Sequence, residues 1–211
     1  MTVTPARLPA AERRERLVET ALRVFTEGSY RGTTTAEIAR AAGVSEPILY
    51  RHFASKRDLY LAVLDESWRR LQSLWEEAVA SEPDPGAWLA AMGQAYFQSK
   101  DPKVLCADLW IQALTEASDD SEIRKHLRKH MREVHGFVAD VIRRSQEAGG
   151  ILAERDASAE AWIFVSIGLL GTVGRRVGGL IQNDFPAIIA QRRRWMTGID
   201  EPPPVPPLPG I

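Results

Sequence analysis

Thr33-Thr34-Thr35-Ala36-Glu37-Ile38-Ala39-Arg40-Ala41-Ala42-Gly43-Val44-Ser45-Glu46-Pro47-Ile48-Leu49-Tyr50-Arg51-His52-Phe53 is the stretch that decides the fold of this chain. Thr34 is a good helix N-cap, and Glu37 lies three residues on, which is the spacing of a capping box. A short helix therefore starts there and ends at Gly43. Ser45 caps a second short helix over 46–52. Gly43 supplies the positive φ that a tight turn needs. Ile38, Ala39, Val44, Leu49 and Phe53 make a small common core, and Ala39 lets the two helices approach closely. Two short helices across such a turn form a helix-turn-helix, whose second helix fits a DNA major groove about 12 Å wide.

Working outward, helical periodicity dominates and no convincing strand appears. The spacing predicts a first helix over 10–27, with Leu17, Ala21, Val24 and Phe25 on one face. A long fourth helix runs from Ser55 to about Ala80. Its stripe is Leu64, Trp68, Leu71, Trp75 and Val79. Further helices are expected over 87–99, 102–117, 121–148, 157–181 and 186–198. Asp101-Pro102 reads as a start signal, a cap followed by proline at the first helical position. Gly149-Gly150 reads as a stop. The fold class is all-α with about nine helices. The organisation is a helix-turn-helix DNA-binding domain over 1–55, a helical regulatory and dimerisation domain over 56–200, and a disordered proline-rich tail over 201–211. Ser81-Glu82-Pro83-Asp84-Pro85-Gly86 is the clearest break, because two prolines and a glycine stop a helix.

Net charge is −1 over 211 residues. The average hides an asymmetry: residues 1–60 carry ten Lys/Arg against seven acids, and the remainder carries 17 against 21. A basic front suits an anionic partner there. The single cysteine, Cys106, rules out an intramolecular disulfide and fits a reducing cytoplasm. The N-terminus reads polar and Arg-rich, without the apolar core of a signal peptide. The apolar run Ala161–Gly174, closed by Arg175 and Arg176, is short for a bilayer. The expectation is a cytoplasmic protein with no membrane partner. No phosphate loop, nucleophile motif or paired acid–base constellation points to an enzyme, and no cofactor is expected.

The extended pattern resembles the TetR family of bacterial regulators. It is carried by the Thr-Thr before the second helix, Ile38-Ala39-x-x-Ala42-Gly43-Val44-Ser45, and above all Leu49-Tyr50-Arg51-His52-Phe53 followed by Ser55-Lys56. The resemblance covers residues 10–65 strongly and the rest as a set of helices of suitable number and length. It implies a homodimeric repressor that binds a palindromic double-stranded DNA operator and is released by a hydrophobic small-molecule effector. Thr34, Thr35, Tyr50, His52 and Lys56 then serve phosphate contacts, and Ala36, Ser45, Glu46, Pro47 and Ile48 read bases. Glu46 departs from the basic or neutral residue that many members carry, and suits acceptance from cytosine N4. The alternative is a helical DNA-binding regulator controlled by a protein partner, or constitutive, with no small-molecule effector.

For the effector pocket the candidates are Trp88, Met92 and Tyr96 on one helix face, the pair Cys106 and Trp110, and Met131, Phe137 and Trp162. Gln94, Gln98, Asp108 and Gln112 are candidates for its polar contacts. Gly168, Gly171, Gly174 and Gly178 recur at helical spacing, where each glycine costs roughly 1 kcal/mol against alanine. With Ile181, Ile188 and Trp195 they are read as a dimer interface. His126 and His130 lie four apart, but in the basic run 124–132, and are read as a solvated face rather than a metal site.

Overall fold

The computed structural model describes residues 9–99 and 106–200. The Asp101-Pro102 start signal and the tail over 201–211 lie outside the described residues, as does the side chain of Cys106. Among the described residues there are nine α-helices and no strand. They are α1 Ala10–Glu27, α2 Thr35–Ala41, α3 Glu46–Tyr50, α4 Lys56–Ser81, α5 Trp88–Gln98, α6 Cys106–Ala117, α7 Ser121–Glu147, α8 Ala157–Arg176 and α9 Phe185–Thr197, with a 3-10 turn at Pro85–Ala87.

Local signals explain most boundaries. Thr34 accepts the Glu37 N–H while the Glu37 carboxylate accepts the Thr34 N–H, completing the capping box. Ser55 accepts from the Asp58 N–H at the head of α4. Asp120 and Asp156 cap α7 and α8 through the N–H groups two and three residues on. Ser45 holds the N-cap position of α3, but its hydroxyl makes no cap bond. Pro47 has no N–H to offer, and the Ile48 N–H goes to the Ser45 carbonyl instead. Helix α8 stops at Arg176, short of the expected residue 181, because Gly178 and Gly179 both adopt φ +82°. Even so, α8 alone among the described helices is long and apolar enough to cross a membrane, by length and composition only. Its inner face packs against α7.

All but two of the buried apolar side chains among the described residues, Ala87 and Phe185, form one cluster from Leu17 in α1 to Met196 in α9. Helix α4 is shared by both halves. Leu59, Tyr60 and Val63 pack in the head, and Leu64, Trp68, Leu71 and Trp75 continue into the body. Ion pairs reinforce the junction: Arg31 meets Glu116 at 2.9 Å and also Asp119, and Arg57 meets Asp120 at 3.0 Å.

Aromatic packing occupies the centre of the body. Trp68, Trp75, Phe137 and Phe164 pack on one another with centroids 5.6–6.0 Å apart, filling the centre of the body. Trp110 is buried and donates from Nε1 to His130 Nδ1 at 2.9 Å. His130 is only 1% exposed, which corrects the solvated-face reading, while His126 lies 2.9 Å from Asp65. Among the described residues no group of His, Cys, Asp or Glu is arranged to hold a metal.

Burial pushes the His130 imidazole down from its ordinary 6.5 to about 4, against the attraction of Asp65. Its Nδ1 accepts from Trp110, so the neutral ring carries its one proton on the buried Nε2, and a second proton would have to land on Nδ1 and break that bond. The unfolded chain therefore binds a proton between pH 6.5 and 4 that the native state resists, and stability falls as pH drops through that window. The loss amounts to something on the order of 3 kcal/mol. Denaturation midpoints measured from pH 7 to 4 should show this slope in the wild type and a shallower one in His130→Gln. Identical slopes in the two proteins would overturn the assignment.

Candidate nucleic-acid interface and effector cavity

The α2–α3 unit closes around its turn through Val44 N–H to Ala39 C=O at 3.0 Å, with Gly43 at φ +68°. Ile38, Ala39, Leu49 and Phe53 are buried beneath it. Thr35 is buried and links the two helices: its hydroxyl donates to Glu46 Oε1 and lies 3.1 Å from the Tyr50 hydroxyl. With the threonine proton committed to the carboxylate, Tyr50 is the donor in the second bond. The chain Tyr50–Thr35–Glu46 thus fixes the pitch of α3 against α2. It also neutralises part of the Glu46 acceptor capacity before any base or phosphate arrives.

The other expected contact residues share this surface. Thr34, Ala36, Ser45 and Pro47 are exposed, and Ile48, His52 and Lys56 are half-buried. Tyr50 is 47% exposed despite its bond to Thr35. The Lys56 ammonium sits 4.6 Å from the Tyr30 ring centroid, and burial pulls its pKa below the usual lysine value. Arg14 covers Phe53 at 4.8 Å.

In the body, a cavity of about 120 Å³ lies between α5, α8 and α9, closed on one side by Trp75 of α4. Of the expected pocket residues whose side chains are described, only Tyr96 reaches it, with Gln94 from the polar candidates. Met92, Trp110 and Phe137 belong to the packed core or its edge. Trp88 is half-buried, donating to the Glu82 carbonyl at 2.9 Å under Arg144. Met131 and Trp162 line a separate open groove with Arg124, Arg128 and Arg132. Asp108 is taken by Arg175 and Arg176 at 2.9 and 2.7 Å, and Gln112 reaches the Gly28 carbonyl.

The glycine face also differs from its reading. Gly171 is buried against α5 and α9: a Cβ there would stand 2.6 Å from Phe97 Cζ and 3.3 Å from Phe185. A Cβ on Gly174 would meet Ile181 at 2.7 Å. Gly178 lies beyond the helix, and Gly168 lines the cavity. The close approach that these glycines permit at 171 and 174 is within the chain. The unpartnered apolar face of α8 is instead Ile163, Leu170, Val173 and Val177, continued by Leu180 at 71% exposure and by Trp195 on α9.

Cavity residues that the sequence did not single out are Gly93, Phe97, Glu160, Phe164 and Arg192. Glu160 is the one acid within α8, and its place in the first turn reads as an ordinary helix-dipole residue.

Comparison with known proteins agrees with this geometry. A family model described as bacterial regulatory proteins of the tetR family matches residues 17–63, and one described as the BetI-type transcriptional repressor C-terminal domain matches 85–167. The chain is 43% identical over 91 residues to the transcriptional activator FasR of Mycolicibacterium smegmatis, a match covering 43% of this chain. That match spans only 42% of the length of FasR. It is 30% identical over 190 residues to the transcriptional regulator TtgR of Pseudomonas putida, covering 80% of this chain and 89% of TtgR. The fold is similar to that of a Saccharomonospora viridis regulator solved in complex with choline, with TM-score 0.67, 22% identity, and coverage of 80% of this chain and 87% of the other.

Loss of the capping box should be measurable without DNA. Thr34→Ala should lower stability in urea denaturation by about 1 kcal/mol, the usual worth of an N-cap hydroxyl. No change in midpoint would mean that α2 is held by its core contacts alone.

Proposed function

The chain belongs to the TetR family of bacterial transcriptional regulators, and from that premise we propose that it is a repressor that binds a palindromic operator as a homodimer and is released by a small apolar molecule. The observation that carries the reading is the α2–α3 unit, where Tyr50, Thr35 and Glu46 hold a half-exposed recognition helix in a fixed pitch. Phosphate contacts fall to Thr34, Tyr50, His52 and Lys56. Ala36, Ser45, Glu46, Pro47 and Ile48 meet bases. Division of labour follows the chain, with DNA binding in residues 1–55 and regulation in 56–200. The repressive sign has support in the description of the matching C-terminal family, although FasR is described as an activator.

Dimerisation is assigned to the outward face of α8 and α9. Leu170, Val173, Val177, Leu180 and Trp195 are too large and too exposed to be left in water without a partner. Two copies related by a two-fold axis bury that face against itself and set two recognition helices about one DNA turn, roughly 34 Å, apart. The small-molecule arm is supported by the choline complex of the Saccharomonospora relative.

Binding to a palindromic duplex should fall steeply with salt, because several phosphate contacts per subunit release counterions. Tyr50→Ala and Lys56→Ala should weaken binding to every sequence, whereas Glu46→Gln should change which sequence is preferred. Equal binding by wild type and Tyr50→Ala at physiological salt would sink the DNA assignment. In sedimentation, wild type should run as a dimer at micromolar concentration and the double variant Leu170→Glu, Val177→Glu as a monomer. Dimers that survive both changes would remove the α8 face from the interface.

A further inference from the structure

Two helical glycines face the α5–α8–α9 cavity and have no packing reason to be glycine. Gly93 lies mid-way along α5 and Gly168 mid-way along α8; a Cβ on either would meet no atom within 4 Å. Gly171, one helical turn further, differs, because a Cβ there would strike Phe97. Gly136 in α7 also has open space, but it is exposed and that space is solvent. Neither Gly93 nor Gly168 is exposed. Alanine at either position would favour the helix without a clash, so the glycines keep a volume empty at the expense of local stability.

We propose that this cavity is a binding site for a compact, uncharged ligand with an apolar body of about benzene size. The inference rests on the small-molecule reading above and fixes its site and ligand class. Size is the first argument: the cavity holds about 120 Å³, and engineered apolar cavities of roughly 150 Å³ stay dry and take up benzene. Wall chemistry is the second. Leu89, Phe97, Phe164, Phe185 and Ile189 offer apolar and aromatic contact, while the Gln94 amide offers a polar handle.

Charge is the third argument, and it disfavours ions that need a fixed counter-charge. The Glu160 side chain is only 8% exposed; its Oε1 accepts from Trp195 Nε1 at 2.8 Å and its other oxygen is paired with Arg192. Arg193 meets Asp84 at 3.3 Å. Each formal charge on the wall therefore already has its counter-charge. A cationic or anionic ligand would enter a low-dielectric space with no opposite charge left for it. The same contacts couple the cavity to the dimer face. Glu160 on α8 and Trp195 with Arg192 on α9 are the seam between the two helices assigned to the interface, so an occupant that pushes α9 from α5 acts on that seam.

The test uses the full chain. Indole and p-cresol serve as uncharged probes, and choline and isovalerate as charged ones, each titrated in thermal unfolding with and without operator DNA. Indole or p-cresol should raise the melting temperature of wild type by roughly 2–4 °C or more, and the charged probes should not. Gly168→Leu fills the cavity, and should bind the uncharged probes at least tenfold more weakly while still binding operator. Gly93→Ala, a smaller change with no predicted clash, should weaken them in the same direction and guards against misfolding of the leucine variant. A shift from choline or isovalerate alone, or equal probe affinity in wild type and both glycine variants, overturns the proposal. Probe binding that is lost in the variants but leaves the wild-type operator complex intact supports the cavity and overturns the inducer reading instead.

Discussion

The long helix α4 is the constraint on which the rest of this molecule depends. One continuous element of 26 residues places Leu59 and Tyr60 under the helix-turn-helix and Trp68 and Trp75 in the centre of the body. A rigid helix cannot absorb a displacement at one end without passing it to the other. Tyr60 makes the coupling tangible: its ring packs edge-on to Phe25 in the head, at 5.0 Å, while its hydroxyl donates to the Leu109 carbonyl of α6. The Arg31 and Arg57 pairs to the α6–α7 corner lie at the same junction. These arginines are well exposed, so their energetic worth is small and salt-sensitive, and what they contribute is orientation.

How much was legible in the sequence follows from the range of the interactions concerned. The head is written in local chemistry. A threonine and a glutamate three apart, a serine and an aspartate three apart, and a glycine at a turn each fix a boundary through bonds within four residues. Those boundaries agree with the structure to within a residue or two. The link between Thr35, Glu46 and Tyr50 is different. Nothing in a spacing of eleven or fifteen residues announces that three side chains will meet, and only the helix-turn-helix geometry brings them together.

The body was legible in its helices and not in their faces. Aromatic residues at helical spacing mark a side that avoids water, but they do not say whether that side surrounds a cavity or fills one. Here Trp68, Trp75 and Phe137 fill it, and the space lies farther out, between α5, α8 and α9. Glycine spacing has the same ambiguity. Gly171 and Gly174 were read as the mark of a helix crossing, and a close approach is what they permit, yet the neighbours are Phe97, Phe185 and Ile181 of the same chain.

That inversion has a structural consequence for how the body is partitioned. Once the glycine side of α8 is turned inward, its large apolar residues Leu170, Val173 and Val177 are left on the opposite side. One helix then separates an internal cavity from an external apolar surface, with Gly168 lining the first and Leu170 exposed on the second, only two residues apart in sequence. Helix α9 repeats the arrangement, with Ile189 toward the cavity and Trp195 outward. A wall only one helix thick cannot accommodate a change on its inner side by repacking deeper layers, because it has none. Whatever alters the cavity must therefore be taken up by the outer surface of α8 and α9 or by the tilt of α5 against α4, and the second route leads to the element that carries the head.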